Sequence, residues 1–184
     1  MLSWADEVTA PATSRVADAD NAEGCAKLAH GDLLELYCGN GNIGIAIAKN
    51  FRRCFAIELA PELVSLAHKN AQLNGFTNFV VGVASAQEVS NALQTGSKVA
   101  SLPELEIEAV STILVDPPRE GLDDLTCKML ARFNIIVYIS CCPETLARDV
   151  SALSGTHTVT HMAIFDQFAY TDHLEMGLML QRSR

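Results

Sequence analysis

Short apolar runs alternate with helical patterns from residue 32 onward, and this alternation restricts the fold more than any other feature of the chain. Apolar runs typical of buried parallel strands cover residues 32–37, 53–57, 79–83, 112–115 and 134–139. Helical patterns cover residues 42–50, 61–74, 122–132 and 143–153. Strands that alternate with helices predict an α/β fold with a doubly wound, mostly parallel sheet.

Both ends of the chain depart from this alternation. Residues 158–165 and 174–181 have the pattern of two strands joined by a short connection, which predicts an antiparallel C-terminal strand pair. Residues 11–29 are rich in Ala, Ser, Asp and Asn, so residues 1–31 are predicted to hold part of a helix and an irregular linker. Residues 95–108 are predicted to form an irregular surface excursion. We therefore assign residues 32–184 to a single domain.

Composition argues against several classes of function. The 184 residues carry a formal net charge of −9, whereas a domain that binds nucleic acid chiefly through phosphates usually has a basic surplus. No apolar run approaches the length of a membrane span, and residues 1–10 lack the features of a secretory or transit peptide. We therefore expect a soluble, cytoplasmic protein with no membrane partner. The cysteines lack the paired spacing of zinc ligands, so we expect no metal site.

A glycine loop joins the first predicted strand to the first predicted helix, with the sequence Gly39-Asn40-Gly41-Asn42-Ile43-Gly44. Glycines let a ligand approach the backbone, and the helix N-terminus offers unpaired N–H groups. Glu58 follows the next strand, where its carboxylate can accept hydrogen bonds from both hydroxyls of a ribose. The pattern predicts a nucleotide-type cofactor, and by itself it does not distinguish NAD from S-adenosyl-L-methionine.

Two further motifs follow predicted strands. Asp116 precedes Pro117-Pro118, which prevent a helix from starting there and predict a rigid loop over the ligand crevice. Cys141 follows the fifth run, and Pro143 starts a helix. Because a helix N-terminus stabilises a thiolate, Cys141 is a candidate nucleophile. The other isolated cysteines are interpreted as buried and unreactive: Cys25, Cys38, Cys54 and Cys127.

Polar and aromatic residues cluster between the last two predicted strands, from Phe165 to Gly177. Glu175 lies at the start of an otherwise apolar strand, so we expect its carboxylate to be partly buried. Desolvation would raise the pKa of Glu175 and suit it to work as a general base. A polar hairpin connection is the alternative interpretation for Asp172 and His173.

In chain order, the motifs Y-C-G-N-G-N, D-P-P-R, S-C-x-P-E-T-L and F-D-Q-F-x-Y-T-x-H-x-E resemble those of the S-adenosylmethionine-dependent RNA uracil-5-methyltransferases. The resemblance is greatest to the branch that acts on uridine 54 of tRNA, and it covers nearly everything from Asp32 onward. It implies a Rossmann-like class I methyltransferase fold, S-adenosyl-L-methionine as the cofactor and tRNA as the substrate. It also implies the following roles: cofactor contacts for Tyr37, Gly39, Asn42, Glu58 and Asp116, nucleophile for Cys141, and base for Glu175.

The chain departs from the pattern of this family in three ways. Cys142 stands where the family usually has Asn, so we expect a weaker helix cap. Gly44 stands where the family often has Ser or another small residue. Family members are longer and carry an N-terminal RNA-binding region, which a partner chain could supply here. Two alternatives therefore stay open: a methyltransferase-like domain without turnover, and an NAD-dependent oxidoreductase, which leaves residues 140–146 unexplained.

Overall fold

The computed structural model describes residues 31–166, 169–171 and 174–183. The strands are β1 (Asp32–Leu36), β2 (Cys54–Glu58), β3 (Phe79–Val83), β4 (Val110–Val115), β5 (Ile135–Ser140), β6 (His157–Phe165) and β7 (Glu175–Arg182). The α-helices are α1 (Asn42–Ile47), α2 (Pro61–Leu73), α3 (Ala86–Thr95), α4 (Asp124–Leu130) and α5 (Pro143–Leu153). The sequence analysis divided the chain into residues 1–31 and 32–184. Residues 1–30 lie outside the described residues.

The strands form one sheet in the order β3-β2-β1-β4-β5-β7-β6. Strands β1 to β5 are mutually parallel, and β7 runs antiparallel between β5 and β6. The predicted doubly wound sheet with an antiparallel C-terminal pair is therefore confirmed. The order reverses at β1 and β4, which creates a crevice at the carboxyl ends of these strands.

Two apolar layers cover the sheet, because successive residues of a strand point to opposite faces. Leu34, Ile113 and Tyr138 pack in the layer that includes buried residues of α3, α4 and α5. Leu33 and Leu114 pack in the other layer, with buried residues of α1 and α2. The sheet is thus a rigid platform whose carboxyl edge holds the loops.

Two stretches differ from the sequence-based expectation. Helix α3 was not predicted from the sequence. Its start carries a capping box, in which Ser85 Oγ accepts the Glu88 N–H and the Glu88 side chain accepts the Ser85 N–H. Residues 95–108 were expected to be a surface excursion, yet three apolar side chains spaced by three residues are buried in the core: Val99, Leu102 and Leu105.

The remaining differences are small shifts at the ends of elements. The helix predicted over residues 42–50 is an α-helix only to Ile47, followed by a 3₁₀ turn at Ala48–Asn50. Within the described ranges, no helix has the length and apolar character needed to cross a membrane.

Candidate active site

The candidate catalytic and cofactor-binding residues lie at one edge of the sheet, whereas Asp172 and His173 lie outside the described residues. Tyr37, Asp116 and Cys141 directly follow β1, β4 and β5, and Glu58 is the last residue of β2. Because β7 runs in the opposite direction, its first residue, Glu175, lies at the same edge.

The loop after β1 turns sharply through backbone conformations that glycine favours. Gly39 and Gly41 have φ angles of 55° and 83°, and Tyr37 also has a positive φ of 60°. The turn is closed by the Gly41 N–H, which donates to the Cys38 carbonyl at 2.8 Å. A non-glycine residue in this region is strained, and such strain concentrates at ligand sites.

Glu58 joins the glycine loop to the beginning of α2. Its Oε2 accepts the Gly39 N–H at 3.1 Å, and its Oε1 accepts the N–H groups of Leu59 and Ala60 at 2.8 and 2.9 Å. The carboxylate is held beside a cleft of about 390 Å³ that Tyr37 and Pro118 also line. A polar group with this fixed orientation at the rim of an open cleft suits a ribose.

A second cleft, of about 330 Å³, lies on the other side of Tyr37 and is rich in carboxyl groups. Asp116, Glu175 and Glu35 all line it, together with Gly39 and Asn42. Burial raises the pKa of Asp116 to about 6, and the nearby Glu175 contributes to the shift. Burial also raises the pKa of Glu175, which confirms the expected desolvation of this carboxylate. This cleft is suited to a positively charged group.

Glu35 is a site residue that the sequence analysis missed. It is 1% exposed, and burial raises its pKa to about 8. The charge of Asp116 also raises this pKa, whereas the hydrogen bond from the Gly44 N–H lowers it. Its Oε1 accepts the Gly44 N–H at 3.2 Å, whereas its Oε2 has no hydrogen-bond partner among the described residues. A Cβ on Gly44 would collide with this Oε2, so the glycine makes room for the carboxyl group. The available signal was a single acidic residue within an apolar strand.

The strand register brings Cys141 towards Glu175. Ser140, the last residue of β5, pairs with Met176 on β7, so the neighbouring residues Cys141 and Glu175 lie at the same end of this strand pair. Cys141 is half-buried and lies one residue before the N-cap of α5. The candidate nucleophile and the candidate base, from distant parts of the chain, are therefore brought to the same edge of the sheet.

Cys142 differs from its neighbour in its contacts. It is the N-cap of α5 and makes no side-chain capping bond to the described helix, which confirms the expected weak cap. Its thiol donates to Glu144 Oε2 at 3.4 Å, and its N–H donates to Ser140 Oγ at 3.0 Å. Three of the cysteines interpreted as unreactive are buried, namely Cys38, Cys54 and Cys127. Burial raises the pKa of each of these thiols. Cys25 lies outside the described residues.

Comparison with known proteins assigns the chain to a family. The family model described as tRNA (Uracil-5-)-methyltransferase matches residues 12–183. The chain belongs to this family. The chain is 45% identical over 185 residues to a tRNA/tmRNA (uracil-C(5))-methyltransferase of Chromohalobacter salexigens, covering 99% of this chain and 45% of that protein. A relative with the same description in Idiomarina loihiensis is 48% identical over 153 residues, covering 82% of this chain and 42% of that protein.

Similar solved structures agree with the architecture. The Pyrococcus abyssi tRNA (uracil-54, C5)-methyltransferase in complex with S-adenosyl-L-homocysteine is 29% identical, with a TM-score of 0.66 over 88% of this chain and 37% of that chain. An rRNA methylase from Streptococcus thermophilus shares only the fold, at 9% identity and a TM-score of 0.63, over 92% of this chain and 100% of that one. The fold is that of the class I methyltransferases. The chain spans less than half the length of the curated relatives named above.

Proposed function

We propose that this chain carries the catalytic half of an enzyme that transfers a methyl group from S-adenosyl-L-methionine to carbon 5 of a uridine in tRNA. The observation that carries the proposal is the register of β5 and β7, which brings Cys141 and Glu175 to the same end of this strand pair, where Glu175 lines an acidic cleft. Family membership supports the choice of reaction and favours this cofactor over NAD.

The two clefts on either side of Tyr37 fit the two ends of the cofactor. The fixed carboxylate of Glu58 suits the ribose hydroxyls. The carboxyl groups beside Asp116 suit the positively charged sulfonium and ammonium end. The residues that would hold the cofactor are Tyr37, Gly39, Asn42, Glu58 and Asp116. When bound, the cofactor supplies an electrophilic methyl group.

The two catalytic residues have complementary tasks on the uracil ring. The Cys141 thiolate adds to carbon 6, the sulfur–carbon bond forms, and the electron pair of the ring double bond makes carbon 5 nucleophilic. After carbon 5 has accepted the methyl group, the Glu175 carboxylate removes the proton from that carbon. The double bond re-forms as the bond between sulfur and carbon 6 breaks, which releases the thiolate. Because its pKa is raised, the Glu175 carboxylate is a stronger base than an exposed one.

The RNA must reach this cleft with its target base turned out of the stack. A net charge of −9 gives the chain little general attraction for a polyanion. We therefore expect RNA binding to depend on a partner chain or on the part of the relatives that this chain does not span. The second candidate function is a domain that binds the cofactor without turnover.

A covalent trap tests the proposal. The protein is mixed with S-adenosyl-L-methionine and tRNA containing 5-fluorouridine, because the fluorine on carbon 5 cannot be removed as a proton. We expect a covalent adduct between protein and RNA that survives denaturation and is detected on a gel and by mass spectrometry. The Cys141→Ala variant should form no adduct, whereas the Cys142→Ala variant should still form it. Glu175→Gln should accumulate an adduct with ordinary tRNA. If the protein binds S-adenosyl-L-homocysteine but forms no adduct, the proposed enzyme activity is refuted. The second candidate function, a domain that binds the cofactor without turnover, would then be favoured.

A further inference from the structure

A buried carboxylate outside the two clefts joins three parts of the site. Asp149 lies on α5, is 3% exposed, and has both oxygens engaged. Its Oδ2 accepts the Leu122 N–H at 2.8 Å and the Tyr138 hydroxyl at 2.7 Å. Its Oδ1 accepts the Arg148 Nε–H at 2.8 Å. One side chain therefore contacts the loop after β4, strand β5 and its own helix.

The loop over residues 116–123 receives further bonds from the same helix. The Arg148 guanidinium donates to the carbonyls of Glu120 and Leu122 at 3.0 and 3.1 Å, and Thr145 Oγ donates to the Arg119 carbonyl at 3.1 Å. These contacts use the backbone of the loop, so they act on its position. Any side chain at residue 121 would interfere, because a Cβ on Gly121 would lie 2.7 Å from Asp149 Oδ2.

The joined parts are the ones whose spacing matters for methyl transfer. The loop begins with Asp116 and carries Pro118 and Gly121 into the wall of the 390 Å³ cleft. Tyr138 is on β5, three residues before Cys141, and α5 begins two residues after Cys141. The two prolines restrict the backbone of this loop, and these bonds hold the loop against α5.

We infer that Asp149 is a positioning residue, which holds the loop over residues 116–123 against the junction of β5 and α5. It thereby sets the position of Asp116 and of the cleft wall relative to Cys141. The expected effect of Asp149 on methyl transfer rests on the proposed function. Its effects on the loop and on cofactor binding can be measured without turnover.

Three variants separate this role from a general loss of stability. Asp149→Ala removes every bond. Asp149→Asn keeps an oxygen for Leu122 and Tyr138 and loses the charge that faces Arg148. The matched control is Asp32→Ala, because Asp32 is a fully buried carboxylate paired with Arg52 and Arg53 at the opposite edge of the sheet.

Hydrogen exchange of the loop is the first measurement, and it does not depend on any activity. We expect amide exchange in peptides containing residues 119–122 to be about tenfold faster in Asp149→Ala and close to wild type in Asp149→Asn. In Asp32→Ala, the same peptides should exchange as in wild type. If Asp149→Ala does not fold, Tyr138→Phe, which removes a single hydroxyl donor, should change exchange in the same direction.

Calorimetric binding of S-adenosyl-L-homocysteine and methyl-transfer kinetics are the second measurement. We expect Asp149→Ala to raise the Kd about tenfold and to lower kcat, with recovery to within about threefold in Asp149→Asn. Unchanged loop exchange, or a Kd that rises no more than in Asp32→Ala, would overturn the inference. If the wild-type protein binds S-adenosyl-L-homocysteine but transfers no methyl group, the proposed function is refuted. The binding and exchange results would then still test the positioning role of Asp149.

Discussion

Replacement of Glu35 by glutamine should remove a large pH dependence of stability. The pKa of Glu35 rises from 4.5 to about 8 because the carboxyl group is buried within β1. Between these two pH values the folded protein keeps the proton and the unfolded chain loses it. The stabilisation is therefore fully present below pH 4.5 and is lost as the pH rises to about 8.

The size of this effect follows from linkage. Where the folded state binds one proton more than the unfolded state, each pH unit changes the free energy of unfolding by about 1.4 kcal/mol. The interval from 4.5 to about 8 therefore corresponds to a loss of about 5 kcal/mol, comparable to the whole stability of a marginal domain. Glutamine keeps an oxygen that can accept the Gly44 N–H, which Glu35 Oε1 accepts at 3.2 Å.

Urea denaturation followed by circular dichroism between pH 5 and pH 8.5 measures the effect. The free energy of unfolding of Glu35→Gln, minus that of wild type, should increase steadily with pH, so that the variant is the more stable protein at pH 8.5. Subtraction cancels the titration of the carboxyl groups that do not interact with Glu35. The control is Glu62→Gln, on the exposed first turn of α2, which should follow wild type. A difference that stays constant over the whole range would refute the burial argument.

Three further substitutions test local features of the fold by the same denaturation assay. Cys142→Asn should raise the free energy of unfolding by about 1 kcal/mol, because Asn supplies the missing cap of α5, whereas Cys142→Ala should not. Ser85→Ala should lower it by about 1 kcal/mol through loss of the capping box of α3, and Glu88→Gln should largely retain it. Leu102→Ala should cost about 2–5 kcal/mol, because this side chain is 1% exposed, and a surface-like loss below 0.5 kcal/mol would contradict its place in the core.

Much of the candidate site follows from local sequence patterns. Parallel strands end at one edge of a sheet, so the residues after predicted strands could be placed together without knowledge of the strand order. This reasoning applies to Tyr37, Glu58, Asp116 and Cys141. Helix α3 could also have been found, since Ser85 and Glu88 form a recognisable capping box and its buried residues Ala86, Val89 and Ala92 recur at helical spacing.

The sequence by itself determined the α/β class, the antiparallel end of the sheet and the identity of the loops that carry polar groups. These are local properties, because periodicity, glycine turns and proline positions act within a few residues. Only the tertiary structure decided that β7 lies between β5 and β6, which brings Glu175 to the edge of the sheet that holds Cys141. It alone also showed that Glu35 is fully desolvated and that Asp149 joins β5, α5 and the loop after β4. Strand pairing and desolvation depend on groups far apart in the chain, and no local pattern records which of them become neighbours.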